Sequence, residues 1–425
     1  MKILITTYGT LGDVLPYVAL GKGLLHAGHQ VIVGTSDRFK DFVEDHGLTF
    51  GHMDDGLLAI IDTDQGKAML ENTTNIFDAF KQNIKLGKQI KPLQTAQLLE
   101  TWELAKSVKP DFLLYHPKTG AAPHIAEKLG IGCALVTPIP MLVPTSEWPF
   151  PVLPRVKLGG WYNRLSYTII AGLSGIFLGK YIKKIRHDIG LKPMAKFDLL
   201  KNGDGQAIPV LNIVSEAVLS RPADWPANAY MTGYCFLQRE KDWAPSADLQ
   251  DFLNAGSPPV YVGFGSMAGC DPEQLTRTVV EALQGAGVRG IIATGWGGMK
   301  CDDLPDSILG IDSAPHDWLF PRVAAVVHHG GAGTTAAGLR SGKPSVILPF
   351  FGDQPFWGHL VHSVGAGTKP IPRKKLTADK LAAAIKEAVS NPDFHKRAEL
   401  IGKKIRQEDA VGNAVTVIEK ILKDV

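Results

Sequence analysis

Short apolar runs alternate along the chain with segments whose apolar residues recur at helical spacing. Residues 2–7 form the first run, turned at Gly9, and predict a strand. Val14, Leu15, Val18, Leu24 and Leu25 then mark one face of a helix over 14–27. Next come a strand at 30–35, a short helix at 37–45 closed by Gly47, and a less regular helical stretch at 66–108. A strand at 111–115, a helix at 121–129 ended by Gly130 and a strand at 131–137 complete this half. Strands separated by helices imply right-handed crossovers and a parallel sheet covered on both faces.

The alternation stops at Pro138. Pro138, Pro140, Pro144, Pro149, Pro151 and Pro154 predict an irregular loop, interleaved with Met141, Leu142, Trp148 and Phe150. An aromatic and basic helical stretch follows at 161–186, then a loop rich in Gly and Asp near 202–205. A polar shift at 238–246 reads as an exposed linker. The pattern then restarts with a strand at 260–263, a helix at 272–286, strands at 290–294 and 324–328, a helix at 334–341 and a strand at 345–349. Helices at 377–390 and about 414–422 close the chain. The expected organisation is α/β, with two doubly wound domains facing across a cleft. The first spans 1–237, a linker 238–247 and the second 248–405, and a C-terminal helix within 406–425 packs back on the first domain.

Composition narrows the class. The 425 residues are 45% hydrophobic and 20% charged, enough to bury a large core and against disorder. A net charge of +3 is too small to suggest a dedicated nucleic-acid binder. Cys133, Cys235, Cys270 and Cys301 lie far apart, which argues against a disulfide framework or a cysteine zinc site and suits a reducing, cytoplasmic setting. The opening run is too short for a secretory signal. The longest nearly uncharged apolar window, 167–179, has thirteen residues, against about 20 for a membrane span. A soluble protein is expected.

In open parallel sheets ligands bind beyond the carboxyl ends of the strands. That rule selects the loop Tyr8–Asp13 in the first half, and Gly263–Ser266, His328–Thr335 and Phe350–Gln354 in the second. The loop His328–Thr335 leaves an apolar strand, carries three glycines and enters a helix through Thr334 and Thr335. Bare amides at a helix start, with roughly half a positive charge of dipole, suit a phosphate. The plainer reading is a glycine turn capped by a threonine beside two packed histidines; Gly265-Ser266 and Asp353-Gln354 in matching places favour phosphate. Asp13 is read both as an N-cap and as a carboxylate placed for general-base work.

Other residues carry less. His26/His29 and His359/His362 have metal-like spacing but lack a third ligand, so packed or surface histidines are expected and no metal site. His116 and His124 flank the end of the strand at 111–115, and His124 is a candidate for an acceptor pocket with Thr10, Met141, Trp148, Phe150 and Trp161. Lys180, Lys183, Lys184 and Arg186 read as a solvated cluster, with weak contact to anionic lipid as the alternative.

Four stretches, Gly9–Val14, Pro315–Phe320, His328–Thr335 and Pro349–Gln354, resemble the family-1 glycosyltransferases with the two-domain GT-B fold. Within them the chain is most similar to the sterol 3-beta-glucosyltransferases and the related antibiotic-aglycone glycosyltransferases, over nearly its whole length. The resemblance implies a metal-independent, inverting transfer of a hexose from a nucleotide sugar, UDP-glucose foremost, to a lipophilic acceptor such as a sterol or triterpenoid. A dTDP-sugar donor and an antibiotic, flavonoid or glycolipid acceptor form the alternative. It makes Asp13 the catalytic base, and Ser266, His328, Gly331, Ala332, Gly333 and Thr334 the holders of the diphosphate. Asp353 and Gln354 bind the donor sugar, while Ala314 and Pro315 pack along the base. Plant relatives stack a tryptophan where this chain has Ser313; Trp296 is the other candidate ring, so uracil and thymine both stay open. The nucleotide sugar is a co-substrate and no cofactor is implied. A dinucleotide-dependent oxidoreductase is disfavoured because the first loop is Gly-x-x-Gly rather than Gly-x-Gly-x-x-Gly. A non-catalytic lipid carrier is disfavoured by the intact Asp13 and Asp353-Gln354.

Overall fold

The computed structural model describes residues 1–423 except 64–92, 154–155, 157, 195–196, 239–242, 266–270, 296–298 and 300–302. The chain divides into two units. The first holds the described residues up to Leu237 together with the stretch from Asp409 onward, and the second holds the described residues of Gln238–Glu408.

The first unit is built on a seven-stranded, wholly parallel sheet. β1 (Lys2–Thr6), β2 (Gln30–Ser36) and β3 (Thr49–Met53) run outward in one direction, and β4 (Phe112–Tyr115), β5 (Gly132–Thr137), β6 (Val210–Asn212) and β7 (Ala229–Met231) in the other, in the order β3-β2-β1-β4-β5-β6-β7. Ile3, Leu4 and Ile5 are fully buried, as strands of a sheet covered on both sides must be. α1 (Leu11–His26) sends Val14, Tyr17, Val18, Leu20 and Leu24 into the core under that sheet. α2 (Lys40–Asp45) contributes Val43, and α3 (Gly56–Asp62) and a helical run at 93–108 precede β4. The chain returns at its end: Ala414, Val415, Ile418 and Ile421 of the last helix join the same core as α1. α4 (Ala122–Leu129) follows β4 and ends in the left-handed Gly130.

The prolines after β5 run into α5 (Gly160–Asp188), a helix of 29 residues. The expectation of a soluble chain rested on a thirteen-residue window. The helix extends well beyond it, and among the described helices it is the one long and apolar enough, by length and composition, to cross a membrane. Arg186 also departs from the expected basic cluster: it is buried and pairs with Glu127.

The second unit repeats the scheme with a five-stranded parallel sheet. β8 (Val260–Gly263), β9 (Gly290–Ala293) and β10 (Ile308–Ile311) run one way, and β11 (Ala325–His328) and β12 (Ser345–Ile347) the other, in the order β10-β9-β8-β11-β12. α6 (Ala247–Asn254) leads in, capped by Ser246. One face of the sheet packs under α7 (Pro272–Ala286) through Leu275, Val279 and Leu283, joined by Leu381 and Ile385. The other face carries Trp318, Leu319, Phe320 and Val323 around α8 (His316–Leu319). α9 (Ala332–Arg340) follows β11, α10 (Gln354–Ser363) follows β12, and α11 (Ala378–Ser390) and α12 (Pro392–Gln407) precede the closing α13 (Ala410–Lys423).

Candidate active site

Strand order fixes where chemistry can sit. In the first sheet the chain winds outward from β1 through β2 to β3, then resumes at β4 on the other side of β1. The crevice beyond the ends of β1 and β4 is therefore a topological switch point, where loops diverge and leave room for a ligand. Thr6 pairs with Tyr115 across these two strands, so the loop carrying Asp13 lies beside the one carrying His116 and Lys118.

Asp13 is not the N-cap of α1. Thr10 takes that place, and Asp13 occupies the third helical position, reaching back so that its Oδ2 accepts from the Thr10 amide at 2.8 Å and from the Thr10 hydroxyl at 3.2 Å. Lys118 Nζ lies 2.8 Å from the same oxygen, and His116 Nε2 lies 3.4 Å from Oδ1. Burial pushes the carboxyl up, but the Lys118 ammonium, the His116 ring and these hydrogen bonds outweigh it and hold Asp13 below the usual carboxylate range.

The His116 tautomer follows from its partners. Its Nδ1 accepts from the Lys118 amide at 3.1 Å, so the proton sits on Nε2, pointing at Asp13. Burial drives the ring down to about 4, with Asp13 raising it and Lys118 lowering it, so the imidazole is neutral at pH 7. Gly9 matters at close quarters. Its φ of +144° suits glycine, and a Cβ there would fall on the Asp13 carboxylate and lie 2.8 Å from Lys118 Nζ.

The remaining first-unit candidates divide. Thr10 is exposed beside Asp13 and Met141 is half-buried. Trp148 and Phe150 are buried, Trp148 edge-on to Trp225 and Phe150 edge-on to Tyr167. His124 is 1% exposed with its Nδ1 3.0 Å from Arg186 Nη1, beside Glu127, so its ring is committed to a buried polar network. Trp161 faces solvent at 64% exposure.

The second sheet has its own switch point, between β8 and β11, whose ends pair Gly263 with His328. Here α9 begins two residues earlier than expected, with Gly331 rather than Thr334 or Thr335 at the N-cap and no side-chain cap. The amides of Ala332, Gly333 and Thr334 therefore occupy the first turn, where a helix has no carbonyl to offer them. Gly330 needs its φ of +90°, and a Cβ there would press on Ile347 at 2.7 Å and on the Gln354 carbonyl at 3.1 Å.

His328 is fully buried. Its Nδ1 accepts from the Gly330 amide at 3.1 Å, which leaves the proton on Nε2, a buried donor with no partner among the described residues. Burial, with the neighbouring His329 and His316 rings, holds it well below the ordinary histidine range. His329, driven to about 4 by burial, also has a ring nitrogen, Nδ1, without a partner among the described residues. An orphaned donor at a helix start is what an anionic ligand satisfies.

Gln354 accepts from the Phe350 and Phe351 amides at 2.7 and 3.2 Å through Oε1 and so shapes its own loop. Asp353 Oδ2 accepts from Trp357 Nε1 at 2.7 Å. Ser313 is exposed, Ala314 packs against the Trp318 cluster, and Pro315 starts α8. Ser266 and Trp296 lie outside the described residues. Among the described residues no group of three His, Cys, Asp or Glu side chains could hold a metal.

Two parallel-sheet units, each with a candidate site at its switch point, define the GT-B class, and comparison with known proteins agrees. Over 99% of both chains the fold matches the glycotransferase of kitacinnamycin (TM-score 0.71, 18% identity), and over the whole of both chains glycosyltransferase VinC in complex with dTDP (TM-score 0.68, 19% identity). Residues 3–142 match the glycosyltransferase family 28 N-terminal domain, and 291–422 the erythromycin biosynthesis protein CIII-like C-terminal domain. Sterol 3-beta-glucosyltransferases UGT80A2 and UGT80B1 of Arabidopsis thaliana are 37% and 34% identical over 99% of this chain, which covers 66% and 68% of their lengths. The sterol 3-beta-glucosyltransferase of Saccharomyces cerevisiae is 36% identical over 98% of the chain, which spans 35% of that relative. The chain belongs to the sterol 3-beta-glucosyltransferase family.

His116 was noticed in the sequence but not chosen, and Lys118 was missed. Their signal was the end of the apolar run before Tyr115: a strand neighbouring β1 delivers its following loop to the same crevice.

Proposed function

We propose that the protein transfers glucose from UDP-glucose to the hydroxyl of a sterol or similar lipophilic alcohol, with inversion at the anomeric carbon. The observation that carries this reading is the Asp13 carboxylate at the first switch point, oriented by Thr10, His116 and Lys118. Asp13 takes the proton of the acceptor hydroxyl as that oxygen bonds to the anomeric carbon. The bond from that carbon to the diphosphate breaks, and its electron pair leaves with the diphosphate.

Charge growing on the leaving group is met by the amides of Ala332, Gly333 and Thr334 and by the Nε2 proton of His328, with no metal ion taking part. Asp353, oriented by Trp357, and the Gln354 amide group bind the sugar hydroxyls. A neutral His116 keeps Asp13 aligned without competing for the acceptor proton. The dTDP bound to VinC keeps a second donor in view.

Calorimetry with UDP-glucose and dTDP-glucose, followed by product analysis with cholesterol and a flavonoid, tests the reading. Turnover of UDP-glucose onto cholesterol supports it. Transfer confined to hydrophilic acceptors, or nucleotide binding without transfer to any alcohol, overturns it.

A further inference from the structure

Among the described residues nothing covers an apolar stripe along α5. Trp161, Leu165, Ile169 and Ile176, at successive spacings of four, four and seven residues, share one face of the helix and are 64%, 42%, 46% and 69% exposed. Val152, Val156 and Leu158, just ahead of the helix, are exposed as well. A contiguous exposed apolar face of this kind marks a surface that meets something.

The charge along the helix says what. Between 160 and 183 there is no Asp or Glu, while Lys180 and Lys183 are exposed, and the stripe at Ile176 continues one and two turns later into Lys180 and Lys183. Apolar side chains flanked by lysines, without acids among them, fit the boundary between headgroups and acyl chains of an anionic bilayer.

The anchoring of the helix excludes a spanning arrangement in this fold. At one end Ser166 accepts from the Phe150 amide and Tyr167 packs on Phe150. At the other, Ile182 and Ile185 pack with Leu98, Leu99 and Trp102, and Arg186 pairs with Glu127. Both ends are held by the same folded unit, and only 22% of the most apolar window is buried. Such a helix lies along a surface with its middle turns outward.

We infer that α5 docks the protein in-plane on the surface of an anionic lipid bilayer, with Trp161, Leu165, Ile169 and Ile176 entering the interface and Lys180 and Lys183 meeting lipid phosphates. The inference does not depend on the acceptor, and sterol-free vesicles separate it from the activity.

The test is co-flotation of the full chain with phosphatidylcholine vesicles, with and without phosphatidylserine. Binding to the mixed vesicles is expected, weakened by salt and by removal of the phosphatidylserine. Ile169→Glu with Ile176→Glu, both at exposed positions, abolishes flotation while circular dichroism and melting stay as in the parent. Lys180→Ala with Lys183→Ala weakens binding by about fivefold per lysine. Tryptophan emission shifts to the blue on vesicle addition, and Trp161→Phe removes most of that shift. The proposal is overturned if the parent fails to float with mixed vesicles, or if the glutamate pair floats as well as the parent. It is also overturned if light scattering shows a dimer that the glutamate pair splits, since a second copy then covers the face.

Discussion

Lys118 Nζ lies 2.8 Å from Asp13 Oδ2, joining two loops that are 105 residues apart in sequence. The ammonium holds the carboxylate ionised and aimed, but it also makes it a weaker base. A base with a depressed pKa works down to lower pH, because it stays ready to accept a proton there.

Replacing Lys118 with methionine removes the positive charge and raises the Asp13 pKa. If Asp13 is the base as proposed, activity requires its ionised form, and the acid limb of the kcat/KM profile moves to higher pH. A profile measured across the acid range checks this, and an unmoved limb would show that the ion pair does not set the pKa of the working base.

Gly9→Ala places a methyl group on the Asp13 carboxylate and forces an alanine into a positive-φ conformation. The strain costs about 1–3 kcal/mol of stability. Displacing the base lowers kcat about 10–100-fold with little change in nucleotide affinity. Steady-state kinetics beside calorimetry separate the two effects.

His328→Ala removes a buried donor from the start of α9. Hydrogen bonds to charged groups contribute about 1.5–3 kcal/mol, so UDP binding weakens by roughly ten- to a hundredfold. Binding that is unchanged in calorimetry would remove His328 from the diphosphate site.

Asp224 anchors the proline-rich loop. It accepts from the Thr145 hydroxyl and from the Ser146 amide and hydroxyl, each at 2.7 Å, and pairs with Arg164 at 2.9 Å. Burial raises its pKa, but the Ser146, Thr145 and Arg164 hydrogen bonds outweigh that and depress it. The stabilisation is therefore present above the unfolded carboxyl value of about 3.9 and is lost as pH falls through the lower folded value. Asp224→Ala lowers stability at pH 7 by about 1–3 kcal/mol. The gap between variant and parent, followed by thermal unfolding, narrows in strong acid.

The α/β class and the two parallel sheets were legible because β1, β8 and β11 are compact apolar runs next to amphipathic helices. β6 and β7 were not: each has three residues, too few to show a period. β3 was hidden by Gly51 and His52, which break its apolar run, and β10 by Gly310. Asp13 stood out because it follows the first strand and opens a helix. Lys118 did not, since its place depends on β4 pairing with β1 rather than with β3, a long-range choice that local pattern does not encode. The extent of α5 was legible, but its apolar stretch was read as thirteen residues because Arg164 and Lys180 interrupt the apolar run on either side. The early start of α9 was missed because Thr334 and Thr335 look like caps, whereas Gly331 already has the extended backbone a cap needs.

The central claim is that Asp13 takes the acceptor proton. The direct measurement is kcat of Asp13→Asn with UDP-glucose and cholesterol, alongside UDP affinity and the melting temperature. Asparagine can still accept from the Thr10 amide, so the fold and nucleotide binding are kept. The account predicts a fall in kcat of about 10²–10⁴-fold with both controls unchanged. A folded variant with parental turnover would contradict it.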